Sequence, residues 1–160
     1  MKILNSQKGV WKNRFLLFLL LTYGTGFFMM AFLQNAPQMA WYENLRHSLL
    51  TPPGYVFSIV WSILYFLIAL SASIIWENGS KTSKGLFFAQ LIVQVIWSYS
   101  FFYIHAISLA LIVLILLCLI IFLMISNFYR YSKTASYLLI PYFLWCVFAS
   151  YLNFMTAYLN

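Results

Sequence analysis

Residues 107–129 read ISLALIVLILLCLIIFLMISNFY. From Leu109 to Leu123 the run is apolar without a break. A helix needs about 20 apolar residues to cross the hydrocarbon core of a bilayer, and this stretch has them. A membrane-spanning strand would alternate apolar and polar residues with a period of two, which this stretch does not do. A helix that is apolar all round needs either a large protein or lipid around it. The chain has 160 residues, 64% of them hydrophobic and only 7% charged, against about 25% charged in a soluble domain. Lipid is therefore the solvent.

Four more stretches of the same kind lie on either side of this one, at about 15–33, 55–76, 86–103 and 137–158. The expected fold is all-α: one integral membrane domain over residues 1–160, built from five transmembrane helices. The basic N-terminus runs into an apolar stretch too long for a signal-peptide core, with no small-residue cleavage site after it, and reads as the first membrane helix. Three of the expected connections are short. The first, 34–54, is long and holds Pro37, Trp41, Tyr42, Pro52 and Pro53. Loops of that length in compact proteins are commonly lids or binding loops. Pro52 and Pro53 suit the start of the second helix.

The formal net charge is +7, yet the cations sit in short segments between apolar runs, with no basic platform for nucleic acid. Their distribution orients the chain. With the N-terminus inside, the inner segments carry Lys2, Lys8, Lys12, Arg14, Lys81, Lys84, Arg130 and Lys133, and the outer segments carry Arg46 alone. That bias puts the N-terminus in the cytoplasm and the first loop and C-terminus outside, in a bacterial-type plasma membrane.

Several chemistries are missing. Glu43 and Glu77 are the only acids, and both fall in expected loops, so no carboxylate is available at membrane depth for coupled proton transport. His47 and His105 are also expected in loops, as solvated side chains, which leaves no axial ligand for haem iron. Cys118 and Cys146 lie far apart in apolar segments and read as small hydrophobes. No metal site is expected, and no cofactor.

The few polar residues inside the spans fall at helical spacing. Gln90, Gln94, Trp97 and Ser98 share one face; Ser58, Trp61, Ser62 and Tyr65 share another; Tyr142, Trp145, Ala149 and Asn153 make a third. Polar groups unpaired in lipid cost several kcal/mol, so the three stripes should face one another. They serve either as glue, at about 0.6–2 kcal/mol per interhelical hydrogen bond, or as the wall of a small-molecule cavity with a few polar anchors. Indole and phenol rings suit a flat, greasy ligand. The fourth span lacks a polar face and reads as scaffold.

Three ordered stretches resemble a known family. WYENLRHSLLTPPGYVFSIVWSILYFLIALSASIIW (Trp41–Trp76), QLIVQVIWSYSFF (Gln90–Phe102) and LLIPYFLWCVFASYLN (Leu138–Asn153) are similar to the signature segments of the TspO/MBR family, the tryptophan-rich sensory proteins that include the translocator protein, or peripheral benzodiazepine receptor. The resemblance covers nearly the whole chain and implies the same five-helix plan. It also implies binding of porphyrin-like tetrapyrroles, notably protoporphyrin IX, and of isoquinoline-carboxamide ligands in a pocket beneath the first loop. Residue by residue it implies Tyr42 in the loop, Trp61 and Tyr65 on the second helix, Gln94, Trp97 and Ser98 on the third, and Trp145 and Ala149 on the fifth. The family's K-P-x-W is here His47, Ser48, Leu49 and Leu50, its third-helix asparagine is Gln94, and its fourth-helix aspartate is Val113.

Three functions follow from the resemblance. The first is a receptor or sensor for porphyrin-like ligands. The second is an enzyme that degrades porphyrin with light and oxygen, using Trp61 and Trp145 as redox partners. The third is a transporter of tetrapyrroles or sterols. Homodimers are common in the family, and Ala69 and Ser73 offer small-residue spacing for close helix contact.

Overall fold

The computed structural model describes the backbone of residues 2–33 and 36–160, and the side chains of 13–28 and 39–160. The described residues form helices α1 (Lys2–Leu33), α2 (Ala36–Asn44), α3 (Gly54–Ile75), α4 (Lys81–Ser98), α5 (Ile107–Tyr129), α6 (Lys133–Tyr137) and α7 (Ile140–Leu159), and α4 runs on into a π-turn at Tyr99–Tyr103. Four helical runs are long and apolar enough to cross a membrane: Gly54–Ile75, Lys81–Tyr103, Ile107–Tyr129 and Lys133–Leu159.

The expected five-helix plan is subdivided. The first helix begins well before residue 15, and residues 36–44 of the expected long loop are helical. Gln34 and Asn35, where that loop was expected to begin, and the side chains of Lys2, Lys8 and Lys12 lie outside the described residues. The third span starts earlier than expected because Ser80 caps it: its hydroxyl accepts from Ser83 N–H, and the Ser83 hydroxyl accepts from Ser80 N–H. This reciprocal box satisfies amides that a helix start leaves open. Ser132 caps α6 the same way, accepting from Ala135 N–H. The last span breaks at Leu138–Leu139 before Pro141, which lacks the N–H needed to continue α6 into α7.

The helices close into a ring. α1 packs on α3 and α4, α4 on α5, and α5 on α7; α3 meets α6 firmly but α7 only sparsely. Phe18, Leu64, Ile68, Phe87, Leu117, Ile121, Met124 and Cys146 fill the centre. Ala69 and Ser73 are buried in this packing, so the small-residue spacing serves contacts within the chain. α5 buries Ala110, Leu114, Leu117, Ile121, Met124 and Phe128 on one face and exposes Ile112, Ile115, Leu119 and Phe122 on the other. An apolar face of that extent has no place in water and needs a lipid neighbour.

The two ends of the ring differ. Arg14 pairs with Glu77 at 2.8 Å, and the Ser83 hydroxyl donates to Asn127, so Arg14 of α1, the α3–α4 turn and the end of α5 share one end. At the other end Asn160 bonds both the N–H and the carbonyl of Arg46, and Ser48 meets the Tyr151 hydroxyl at 3.4 Å. The first loop is thereby tied to the end of α7.

Candidate ligand site

Burial confirms the α4 stripe. Gln90, Gln94 and Ser98 are all fully buried, and Trp97 is half-buried beside them. The α7 stripe also turns inward, with Tyr142, Ala149 and Asn153 buried and Trp145 half-buried. The α3 stripe does so only in part. Trp61 and Tyr65 face the bundle, whereas Ser58 and Ser62 are exposed and the Ser62 hydroxyl bonds back to the Ser58 carbonyl. A serine can satisfy itself on its own helix and needs no partner across the bundle.

The stripes join across the ring. Gln94 Nε2 donates to the Tyr65 hydroxyl at 3.3 Å, linking α4 to α3. The Tyr142 hydroxyl donates to Gln90 Oε1 at 2.9 Å, and Trp97 Nε1 donates to Asn153 Oδ1 at 3.3 Å, linking α7 to α4. Trp61 stacks on Tyr65 with centroids 5.4 Å apart and meets Tyr142 edge-on at 6.2 Å. These bonds do not exhaust the polar atoms. Gln90 Nε2, Gln94 Oε1, Ser98 Oγ and Trp145 Nε1 are buried without a hydrogen-bond partner among the described residues. Whichever way each amide is turned, one half of it stays unanswered. Such groups are uncommon in a native interior, and they are what a bound polar atom would satisfy.

Trp145 stands apart from the other site residues. It packs edge-on against Phe57 and tilted against Phe148, each at 5.6 Å. It also lines a groove of about 370 Å³ between α3 and α7, walled further by Val60, Ile63, Leu64, Pro141, Leu144 and Phe148. Of the site residues expected from sequence, this groove takes in Trp145 alone. Ala149, one turn on, is 9% exposed and contributes only its small size.

The first loop forms a cover over the end of α4. Tyr42 of α2 packs on Phe102 at 5.9 Å and Phe101 at 6.3 Å, and both of those rings pack on Trp97. Tyr42 therefore reaches the site through the π-turn. Burial pushes its phenol pKa up from the ordinary value of 10.0. Two histidine expectations are corrected here. His105 is stacked under Trp41, and its Nε2 is buried without a partner among the described residues. His47 is half-buried, with Nε2 3.0 Å from the Tyr42 carbonyl. The ring against His105 comes from a distant segment, which loop position alone does not reveal, and the ring against His47 is Tyr42, five residues back. Trp41, Phe101 and Phe102 were not expected as site residues. Phe101 is four residues beyond Trp97, and that spacing was the available signal.

Among the described residues no group of three or more His, Cys, Asp or Glu could hold a metal ion. Cys118 and Cys146 are both free thiols; Cys146 is buried and Cys118 half-buried.

Residues 17–159 match the TspO/MBR family. The chain is 40% identical over 123 residues to the tryptophan-rich protein TspO of Archaeoglobus fulgidus, covering 75% of this chain and 80% of that one. It is 37% identical to the tryptophan-rich protein TspO of Bacillus cereus, with the same coverage. To the tryptophan-rich sensory protein of Cereibacter sphaeroides it is 32% identical, covering 75% of this chain and 77% of that one. With the four apolar helices, this likeness makes the chain an integral membrane protein.

Proposed function

The chain belongs to the TspO/MBR family, and from that premise we propose that it is a membrane receptor or sensor for flat, lipophilic, porphyrin-like ligands. The whole chain acts as one domain, with α1 as a fifth span, the Arg14–Glu77 end in the cytoplasm of a bacterial plasma membrane, and the first loop and C-terminus outside. One observation carries the reading. Trp61 of α3 stacks on Tyr65 and meets Tyr142 of α7, Tyr65 is bonded by Gln94 of α4, and on that same α4 face Gln94 Oε1 and Ser98 Oγ are buried with no hydrogen-bond partner among the described residues. Helix glue alone would pair these atoms. In this reading Trp61, Trp97 and Trp145 offer stacking surfaces, Tyr65 backs Trp61, and Gln94 and Ser98 hydrogen-bond the ligand's polar edge. Ala149 leaves room beside them, and Tyr42 holds the cover closed.

The test is a titration of the purified protein with protoporphyrin IX in the dark, following tryptophan fluorescence. Saturable quenching that weakens in Trp61→Phe and Trp145→Phe is the expected result. Affinity unchanged in both variants overturns the site assignment, and absence of saturable quenching overturns the ligand class.

A second reading is light- and oxygen-dependent porphyrin breakdown. The stack of Trp61 on Tyr65 favours it, since two oxidisable rings in contact can pass an electron to a photo-excited pigment. Illuminating the same complex decides it. Pigment loss that requires the protein and falls in Trp61→Phe supports an enzyme, whereas equal bleaching in empty detergent micelles refutes one.

A further inference from the structure

We propose that the groove between α3 and α7 is the door through which the ligand enters sideways from the bilayer, with the Trp145 indole as the partition between groove and site. This rests on the ligand class proposed above and adds the route.

Four observations support it. The first is depth. The groove is walled by Val60, Ile63 and Leu64 of α3 and by Leu144 and Phe148 of α7, all within helical runs fit to cross a membrane. Ile63 is 55% and Leu144 61% exposed, so the groove opens on the lipid side. The second is chemistry. Its lining surface is apolar almost throughout, so water gains nothing there. The third is packing. α3 and α7 touch sparsely, whereas α1 lies firmly on α3 and α5 on α7. α3 does meet α6 firmly, so the looseness is confined to the stretch along α7 beside the groove, whose volume falls within the range of small-molecule sites.

The fourth is the position of Trp145. Trp145 is half-buried and lines the groove, while its Nε1 is buried with no partner among the described residues. The indole therefore lines the groove with its ring while its N–H is out of solvent's reach. Leu64, at the groove's inner wall, precedes Tyr65, which carries the Trp61 stack and the Gln94 bond. In this proposal the Trp145 side chain rotates to open the groove toward Tyr65. A flat molecule dissolved in the bilayer meets the groove edge-on, packs against its aliphatic walls, and passes Trp145 into the aromatic site.

The experiment is kinetic. Protoporphyrin IX is loaded into phosphatidylcholine vesicles and mixed with protein reconstituted in the same lipid, and quenching is followed by stopped flow. The double variant Ile63→Phe/Leu144→Phe fills the groove with rings, adds no tryptophan and touches no proposed ligand contact. The control is Ile112→Phe/Leu119→Phe on the lipid face of α5. A blocked door slows entry and exit equally, so the groove variant's association and dissociation rates should both fall by about tenfold at unchanged Kd, with the control unaffected. Association at the wild-type rate overturns the proposal. So does a weakened Kd at an unchanged association rate, which would make the groove the binding site itself.

A second measurement needs no porphyrin. In vesicles of phosphatidylcholine brominated at mid-chain, wild-type protein should lose more fluorescence than Trp145→Phe, because the Trp145 indole touches hydrocarbon. Equal fractional loss in the two proteins overturns the lateral opening even if porphyrin never binds. Absence of porphyrin quenching alongside bromine quenching of Trp145 would instead count against the proposed ligand.

Discussion

The indole of Trp41 lies flat on the imidazole of His105, with ring centroids 3.9 Å apart and planes 11° from parallel. His105 reaches that position with φ at 57°, the left-handed region that non-glycine residues seldom adopt. The contact ties α2 to the turn that follows the π-turn, so a strained backbone and an aromatic stack hold the cover of the site.

Replacing His105 by glycine should separate the two effects. Glycine relieves the backbone strain and removes the stack, which is worth about 0.5–1.5 kcal/mol. Global thermal stability should move little, while amide exchange over residues 39–47 should speed up by as much as about tenfold. Exchange at the wild-type rate would mean that Tyr42, and not Trp41, anchors the cover.

The raised pKa of Tyr42 makes the cover sensitive to strong alkali. Burial favours the neutral phenol when the cover is closed, so that stabilisation is whole below pH 10.0, where the free phenol titrates, and drains away as pH rises beyond it. Trp41 fluorescence should report opening above that pH, measured as the wild-type signal minus that of Trp41→Phe. The same difference taken in Tyr42→Phe should lack the step. A step that persists without the phenol would assign it to another group.

Gly26 lets α1 approach α3. A methyl group there would lie 2.5 Å from Tyr65 Cε2, and the Tyr65 ring is buried and bonded by Gln94. Gly26→Ala should therefore destabilise the protein by about 1–3 kcal/mol and disturb the Trp61 stack. Gly24→Ala meets nothing within 4 Å among the described residues and should be neutral or stabilising by up to about 1 kcal/mol. Thermal melts of the two variants in detergent test the contrast.

Asn153 answers two partners at once, accepting from Trp97 Nε1 and donating to the Ile107 carbonyl at 3.0 Å. Asn153→Leu leaves both unpaired and should cost about 1–3 kcal/mol. Trp97→Phe removes a single bond and should cost the lesser amount, near 1 kcal/mol. Equal losses in denaturant titrations would show that the indole ring's packing outweighs the bond.

Orientation can be read with single cysteines. Leu49 is fully exposed in the first loop, Lys81 is exposed at the start of α4, and α3 alone lies between them. A membrane-impermeant thiol reagent added to intact cells should label Leu49→Cys and spare Lys81→Cys. The reverse pattern would invert the protein, and labelling of both would mean that α3 does not span.

Several features were legible in the sequence because their causes are local. The apolar run 107–129 fixes a spanning helix with no information beyond its own composition, and α5 starts and stops at those residues. The face shared by Gln90, Gln94 and Ser98 follows from the 3.6-residue period, and all three are buried together. Ser58 and Ser62 share that kind of period and yet face out, because a serine can bond its own helix while a glutamine has to find a partner across the bundle. Helical period therefore predicts a shared face but not which way that face points.

What the sequence determined by itself is the membrane, the register of the long helices and the identity of the aromatic and amide side chains, since each is set within a few turns of one helix. What only the tertiary structure decided is how those side chains meet: Trp41 on His105, Gln94 on Tyr65, and the loose seam of α3 and α7 beside Trp145. These pairings join residues far apart along the chain, and the order in which helices close a ring depends on the fit of whole surfaces, which no single segment encodes.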